Sequence, residues 1–160
     1  MRRKFVQRFG GIYEHSPWVA EEAAAIVADV SDLDVIAGVM ADCVDNASAA
    51  RQLELIRAHP DIAGKAAIAG ELTEDSSTEQ ASAGLDRCSP DEYERFQVLN
   101  RAYRDRFGFP FVMAVRDRSR ADILAAFGSR LENGYDEEFE TALAEIHKIA
   151  RLRLEAMESE

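Results

Sequence analysis

Helix punctuation recurs along the whole chain, while the two-residue alternation of a half-buried strand is nearly absent. Ser16-Pro17 reads as an N-cap with proline at the first helical position, opening a helix that carries Trp18, Val19, Ile26 and Val27. Asp32 is placed to cap a second helix, with Leu33, Ile36, Val39, Met40 and Val44 at helical spacing. Ser48 can cap a third, carrying Leu53 and Ile56, and Pro60 should end it near His59 because a residue before proline is pushed out of the helical region. Ser89-Pro90-Asp91-Glu92 opens the clearest helix, with Tyr93, Phe96, Leu99, Asn100, Tyr103 and Phe107 on one stripe and Gly108 as a stop. Ser119 starts another (Ile123, Leu124, Phe127, Leu131), ending around Asn133-Gly134, and Asp136 caps the last through Phe139, Leu143, Ile146 and Ile149. Phe109 to Val115 is an apolar run broken by Pro110; with no partner strand in the sequence, it reads as a buried extended connector. The pattern predicts an all-α, single-domain bundle of roughly seven to nine helices over residues 1–160.

A chain of 160 residues is long enough to bury roughly 68–70% of its unfolded surface, so a core can form without a metal or disulfide staple. The two cysteines, Cys43 and Cys88, lie far apart and form no CxxC, which suits a reducing compartment better than a disulfide framework. The start Met1-Arg2-Arg3-Lys4-Phe5-Val6 is followed by Gln7, Arg8, Phe9, Gly10 and Gly11 rather than by an apolar export segment. No run approaches the ~18 apolar residues of a membrane span, and the last residues are not a peroxisomal address. The cytoplasm is the expected compartment, with no membrane association. A net charge of −11 argues against nucleic acid as a partner, because a phosphate backbone calls for a dense basic surface. An anionic substrate would need positive groups gathered locally against that acidic background.

The three histidines differ in context. His15 precedes a helix start and can cap or pack there, and His147 lies on the last helix near Phe139, Leu143 and Ile146, where packing or an interface explains it better. His59 sits at a helix end in His59-Pro60-Asp61, where proline fixes the following backbone and aims the ring away from the helix. Imidazole titrates near neutrality, which suits proton transfer, although spacing alone leaves a plain structural role open. Ser76-x-x-Glu79 fits a capping box, and a helix N-terminus there would also offer N–H groups to an anionic or carbonyl-rich ligand. Ser89-x-x-Glu92 has the same pattern without any chemistry nearby. Arg116, Arg118 and Arg120 crowd the exit of the connector, where they are either a solvated surface or a source of forked contacts to a carboxylate or ureido oxygen. Phosphate-binding glycine loops, HExxH, calcium loops and Gly-x-Ser-x-Gly are all absent. A cofactor-free acid–base enzyme remains, and so does a plain helical binding protein. A third reading is a metal-dependent amidohydrolase with His59, Asp61 and Glu79 as ligands.

Specific strings go further. Phe9-Gly10-Gly11-Ile12-Tyr13-Glu14-His15-Ser16-Pro17-Trp18 is followed by His59-Pro60-Asp61-Ile62-Ala63-Gly64-Lys65 and Ser76-x-x-Glu79-Gln80-x-x-Ala83-Gly84-Leu85. Leu99-Asn100-x-x-Tyr103-x-x-x-Phe107-Gly108-Phe109-Pro110-Phe111-Val112 completes the set. In order and spacing the chain resembles the 2-oxo-4-hydroxy-4-carboxy-5-ureidoimidazoline (OHCU) decarboxylase family, the last step from urate to (S)-allantoin. The resemblance implies an all-helical homodimer working on a small ureidoimidazoline without metal or organic cofactor. It implies His59 as catalytic, with Glu79 assigned to hold it or the ureido N–H groups. Pro60, the stretch Ser76, Ser77, Thr78, Glu79, Gln80 and the stretch Phe111, Val112, Met113, Ala114, Val115 match substrate-lining positions; Arg116 is added on physical grounds. Two departures stand out: Ile62 where leucine is usual, a nearly volume-conserving change, and Asp117 where many members carry glycine. Aspartate tolerates left-handed backbone better than most residues, so the turn can survive that exchange.

Overall fold

The computed structural model describes residues 2–27, 31–64 and 72–158. Its regular structure is helical throughout: α1 Arg2–Phe9, α2 Trp18–Ala24, α3 Leu33–Asp45, α4 Ala49–Arg57, α5 Glu74–Ser82, α6 Pro90–Phe107, α7 Arg120–Arg130 and α8 Tyr135–Glu158, with a 3-10 turn at Leu85–Arg87. No strand occurs among the described residues, and Pro110 to Val115 runs without regular structure, as the connector reading requires.

Side-chain caps explain the starts of α3 to α7. Asp32 accepts from the N–H groups of Asp34 and Val35, Ser48 from Arg51, and both Ser89 and Ser119 close full capping boxes with Glu92 and Asp122. Each such cap satisfies helix N–H groups that would otherwise lack partners. Four expectations shift. Ser16 does not cap: its hydroxyl donates to the Glu14 carbonyl, Pro17 takes the N-cap position, and α2 ends at Ala24, leaving Ile26 64% exposed beyond it. The helix from Ser119 stops at Arg130, before Asn133-Gly134, and Asp136 lies inside the first turn of α8 rather than capping it. Ser76 does not open a helix either: Thr73 is the cap, accepting from the Ser76 N–H, and puts Glu74 and Asp75 in the first turn, where the helix dipole favours acids. Helix α1, with Phe5 and Phe9 packed ring to ring, is an addition to the helices that the sequence pattern predicts, because it carries no cap signal.

The chain gathers into two compact units, Met1–Ala58 with Ile146–Glu160, and His59–Glu145. The first unit buries Phe9, Val19, Ile36, Val44, Leu55 and Leu154. Its polar interior holds two devices. Arg153, 3.7 Å from Glu14, also donates to the Ile12 carbonyl, and the Tyr13 hydroxyl lies 2.8 Å from His147 Nδ1, whose Nε2 is 2.9 Å from Asp45.

The second unit is organised on aromatic rings. Tyr103 touches Phe107, Phe109, Phe111 and Phe127, with centroids 4.6 to 6.1 Å away, and Phe111 stacks on Phe127 at 3.8 Å. Burying each such ring stabilises by about 1.5–3 kcal/mol, and well-placed aromatic pairs add about 0.5–1.5 kcal/mol. Glu138, fully buried, accepts from the Tyr103 hydroxyl (2.6 Å), Arg130 Nε (2.8 Å) and Asn133 (2.9 Å). Burial first, and the Glu138 carboxylate next, push the Tyr103 phenol well above its usual range, so it stays a donor at any physiological pH.

Candidate active site

Helix α4 ends at Arg57, and Ala58, His59 and Pro60 carry the chain into a loop rather than another turn. His59 is 6% exposed. The loop then folds tightly: Ala63 adopts a left-handed φ of 52°, and a side chain at Gly64 would place its Cβ 2.7 Å from the Cβ of Asp61. Backbone this deeply buried must find hydrogen-bond partners. They come from side chains. Gln80 accepts from the Ala63 N–H (3.0 Å) and donates to the Asp61 carbonyl (3.2 Å). Gln97 donates to the Ala63 carbonyl (2.7 Å), and Asn100 to that of Ile62 (2.9 Å).

These bonds bring α5 against the His59 loop, so the two catalytic candidates ride on elements that are tied together. On α5, Ser76 and Gln80 are buried one turn apart, Glu79 is half-buried, and Ser77 and Thr78 are exposed. The five-residue stretch is thus split by helix geometry, with Ser76, Glu79 and Gln80 on the inner side. Because Thr73 accepts from Ser76 and the Ser77 N–H is bonded to the Thr73 carbonyl, the N–H groups expected to be open at Ser76 are already used. Both ends of the Gln80 amide are likewise engaged by the loop.

The connector supplies a second buried stretch. Phe111, Val112 and Val115 are buried, while Met113 and Ala114 are half-buried. Arg130 donates to the Val112 carbonyl (2.6 Å), and Glu145 accepts from the Ala114 N–H (3.1 Å). The turn that follows has Asp117 at φ 62°, the left-handed conformation expected of it. The arginine trio separates: Arg120 pairs with Glu92 and the Gly84 carbonyl, whereas Arg116 and Arg118 are exposed.

Several alternatives lose ground. Asp61 is held by Arg104, at 2.8 Å, and among the described residues no three His, Cys, Asp or Glu side chains gather as metal ligands, so His59, Asp61 and Glu79 do not form that set. Burial raises the thiol pKa of both Cys43 and Cys88, against a thiolate nucleophile. His147 has both ring nitrogens committed, and His15 is exposed at a left-handed φ of 48°. Gln97, Asn100 and Arg104 escaped sequence reasoning. The available signal was Asn100, an amide inside the apolar stripe of Phe96, Tyr103 and Phe107.

Fold and site together define an all-helical protein with a buried histidine heading a loop that is braced, at Asp61 and Ala63, by a helix carrying a glutamate and a glutamine. The chain belongs to the OHCU decarboxylase family, whose sequence model matches residues 1–155, across both compact units. It is 47% identical over 156 residues to the 2-oxo-4-hydroxy-4-carboxy-5-ureidoimidazoline decarboxylase of Halalkalicoccus jeotgali, covering 98% of this chain and 86% of that protein. The Haloferax volcanii protein of the same name is 50% identical over 150 residues, covering 94% and 86% respectively. Among solved structures, an (S)-allantoin synthase superposes with a TM-score of 0.73 at 35% identity; the match covers 98% of this chain and spans 50% of that one.

Proposed function

We propose that this protein is a carboxy-lyase that converts 2-oxo-4-hydroxy-4-carboxy-5-ureidoimidazoline to (S)-allantoin in urate degradation. The match of the family to residues 1–155 carries the reading, supported by the burial of His59 at the head of a loop that α5 ties down through Gln80. In the substrate, the carboxylate sits on a carbon adjacent to a C=N bond. When the bond to CO2 breaks, its electron pair delocalises into that imine, whose nitrogen takes up a proton. The hydroxyl then becomes a carbonyl as the ureido-bearing carbon is protonated, so one proton is consumed overall. Because the substrate is its own electron sink, the reaction needs neither pyridoxal nor thiamine.

The protein's tasks are orientation and delivery of a proton to one face. His59 is assigned the proton transfer, Glu79 the orientation of His59 or of the ureido N–H groups. Ser76, the remaining capacity of Gln80, and the Phe111–Val115 backbone read the ring amides, with Pro60 shaping the wall. Arg116 draws the anion in; a tighter grip on the departing carboxylate would stabilise the ground state and slow the reaction. The protein is read as one domain, acting as a homodimer in the cytoplasm; no helix among the described residues is long and apolar enough to cross a membrane.

Replacing His59 with asparagine is expected to lower turnover of freshly generated substrate at least ~10²-fold, with helicity and the urea midpoint retained. Product formed by the wild-type protein should be (S)-allantoin on chiral chromatography, since proton delivery from bulk water would not select a face. Near-wild-type turnover by the variant would remove His59 from the mechanism; racemic product from the wild-type protein would remove facial control.

A further inference from the structure

We infer that Gln97 and Asn100, from α6, are positioning residues for the His59 imidazole: with Gln80 they clamp the loop that aims it. The inference rests on the reading of His59 as the proton-transfer group. Three consecutive carbonyls, of Asp61, Ile62 and Ala63, each accept from a side-chain amide, those of Gln80, Asn100 and Gln97. The Ala63 N–H is taken by Gln80 as well, and Arg104 fixes the Asp61 carboxylate. Gln97, Asn100 and Arg104 lie at helical spacing on one side of α6, so a single helix presents three of the four anchors. All of them grip residues two to four positions beyond His59.

Two features say that this clamp serves more than bulk stability. Ala63 is held at a φ of 52°, which a residue with a Cβ keeps only where its surroundings over-determine it, and such strain clusters at functional sites. Asn100 is 4% exposed and its Oδ1 has no hydrogen-bond partner among the described residues, in a stripe where an apolar side chain would bury at less cost. The position therefore answers to the Ile62 carbonyl rather than to packing. Amides also suit the task chemically: they do not titrate, so the ring can gain and lose its proton while its mounting keeps the same charge. A displacement of about 1 Å at a reacting group costs on the order of 10²-fold in rate, so a mounting of this kind bears directly on turnover.

Gln97→Glu keeps the length of the half-buried side chain but turns a donor into an acceptor facing the Ala63 carbonyl; Gln97→Lys restores a donor. The control is Gln52→Glu, which removes a comparable amide bond to the Val44 carbonyl in the other compact unit. Steady-state kinetics, thermal midpoints and ¹⁵N–¹H correlation spectra of the His59 ring would be recorded for each. The expected result for Gln97→Glu is a fall in kcat of roughly 10-fold or more with KM within about twofold, and displaced His59 ring resonances; Gln97→Lys should recover most of the rate. Gln52→Glu should leave kcat and those resonances alone. A Gln97→Glu protein with normal kcat and an undisturbed ring signal overturns the clamp, whatever its melting temperature. If the wild-type protein fails to decarboxylate the substrate, the functional reading falls, and the ring resonances alone then decide whether the clamp sets the geometry of His59.

Discussion

The His59 loop and the Phe109–Val115 connector solve the same problem with opposite chemistry. Each is a buried stretch of backbone without a sheet to receive its hydrogen bonds, and each borrows side chains from flanking helices. The loop uses neutral amides, from Gln80, Gln97 and Asn100. The connector uses charges: Arg130 on the Val112 carbonyl, with its guanidinium 4.4 Å from the centroid of Phe111, and Glu145 on the Ala114 N–H. Charged hydrogen bonds are stronger but must be fully paired when buried, and Arg130 is paired by Glu138. The difference teaches that this unit holds the backbone of its aromatic connector with charge and the backbone after His59 with neutral amides.

The hardest blow to that contrast would be Arg130→Met. It removes the Val112 donor and leaves Glu138, which has no exposed surface, without its cation; a loss of about 3–5 kcal/mol is expected in urea unfolding. A loss below about 1 kcal/mol would mean that charge does not hold the connector. On the amide side, Asn100→Leu strands the Ile62 carbonyl and should cost about 1–3 kcal/mol, less whatever is regained by losing the unpartnered Oδ1. A cost equal to that of Arg130→Met would erase the distinction between the two regions. The smallest effect belongs to Asp61→Asn. The Asp61–Arg104 pair is 30% and 45% exposed, so its loss should cost at most about 1 kcal/mol and vanish in high salt; a larger, salt-resistant effect would put this charged anchor on a level with the amides.

The sequence announces half of the helix starts, because Asp32, Ser48, Ser89 and Ser119 cap through their own side chains over two or three residues. Local rules also foresee the connector, through Pro110, and the family resemblance foresees the left-handed turn at Asp117. They fail where two local solutions compete. Thr73 and Ser76 both carry a capping hydroxyl, and the acids at Glu74 and Asp75 tip the choice toward the earlier one. Helix α1 carries no cap for such rules to find. The loop anchors are illegible for a different reason: a bond from Gln97 to Ala63 spans 34 residues, and no periodicity encodes it. His59 itself stands out in the sequence through the proline that follows it, whereas what aims it does not.

The Tyr13–His147–Asp45 chain fixes the direction of its protons. An ionised Asp45 can only accept, so Nε2 of His147 must carry hydrogen, Nδ1 must present its lone pair, and the Tyr13 hydroxyl must point toward the ring. The string of donors runs one way, outward to the exposed carboxylate. Loading a second hydrogen onto that ring would reverse the phenol, making the buried tyrosine a receiver and setting its own O–H in search of a new acceptor.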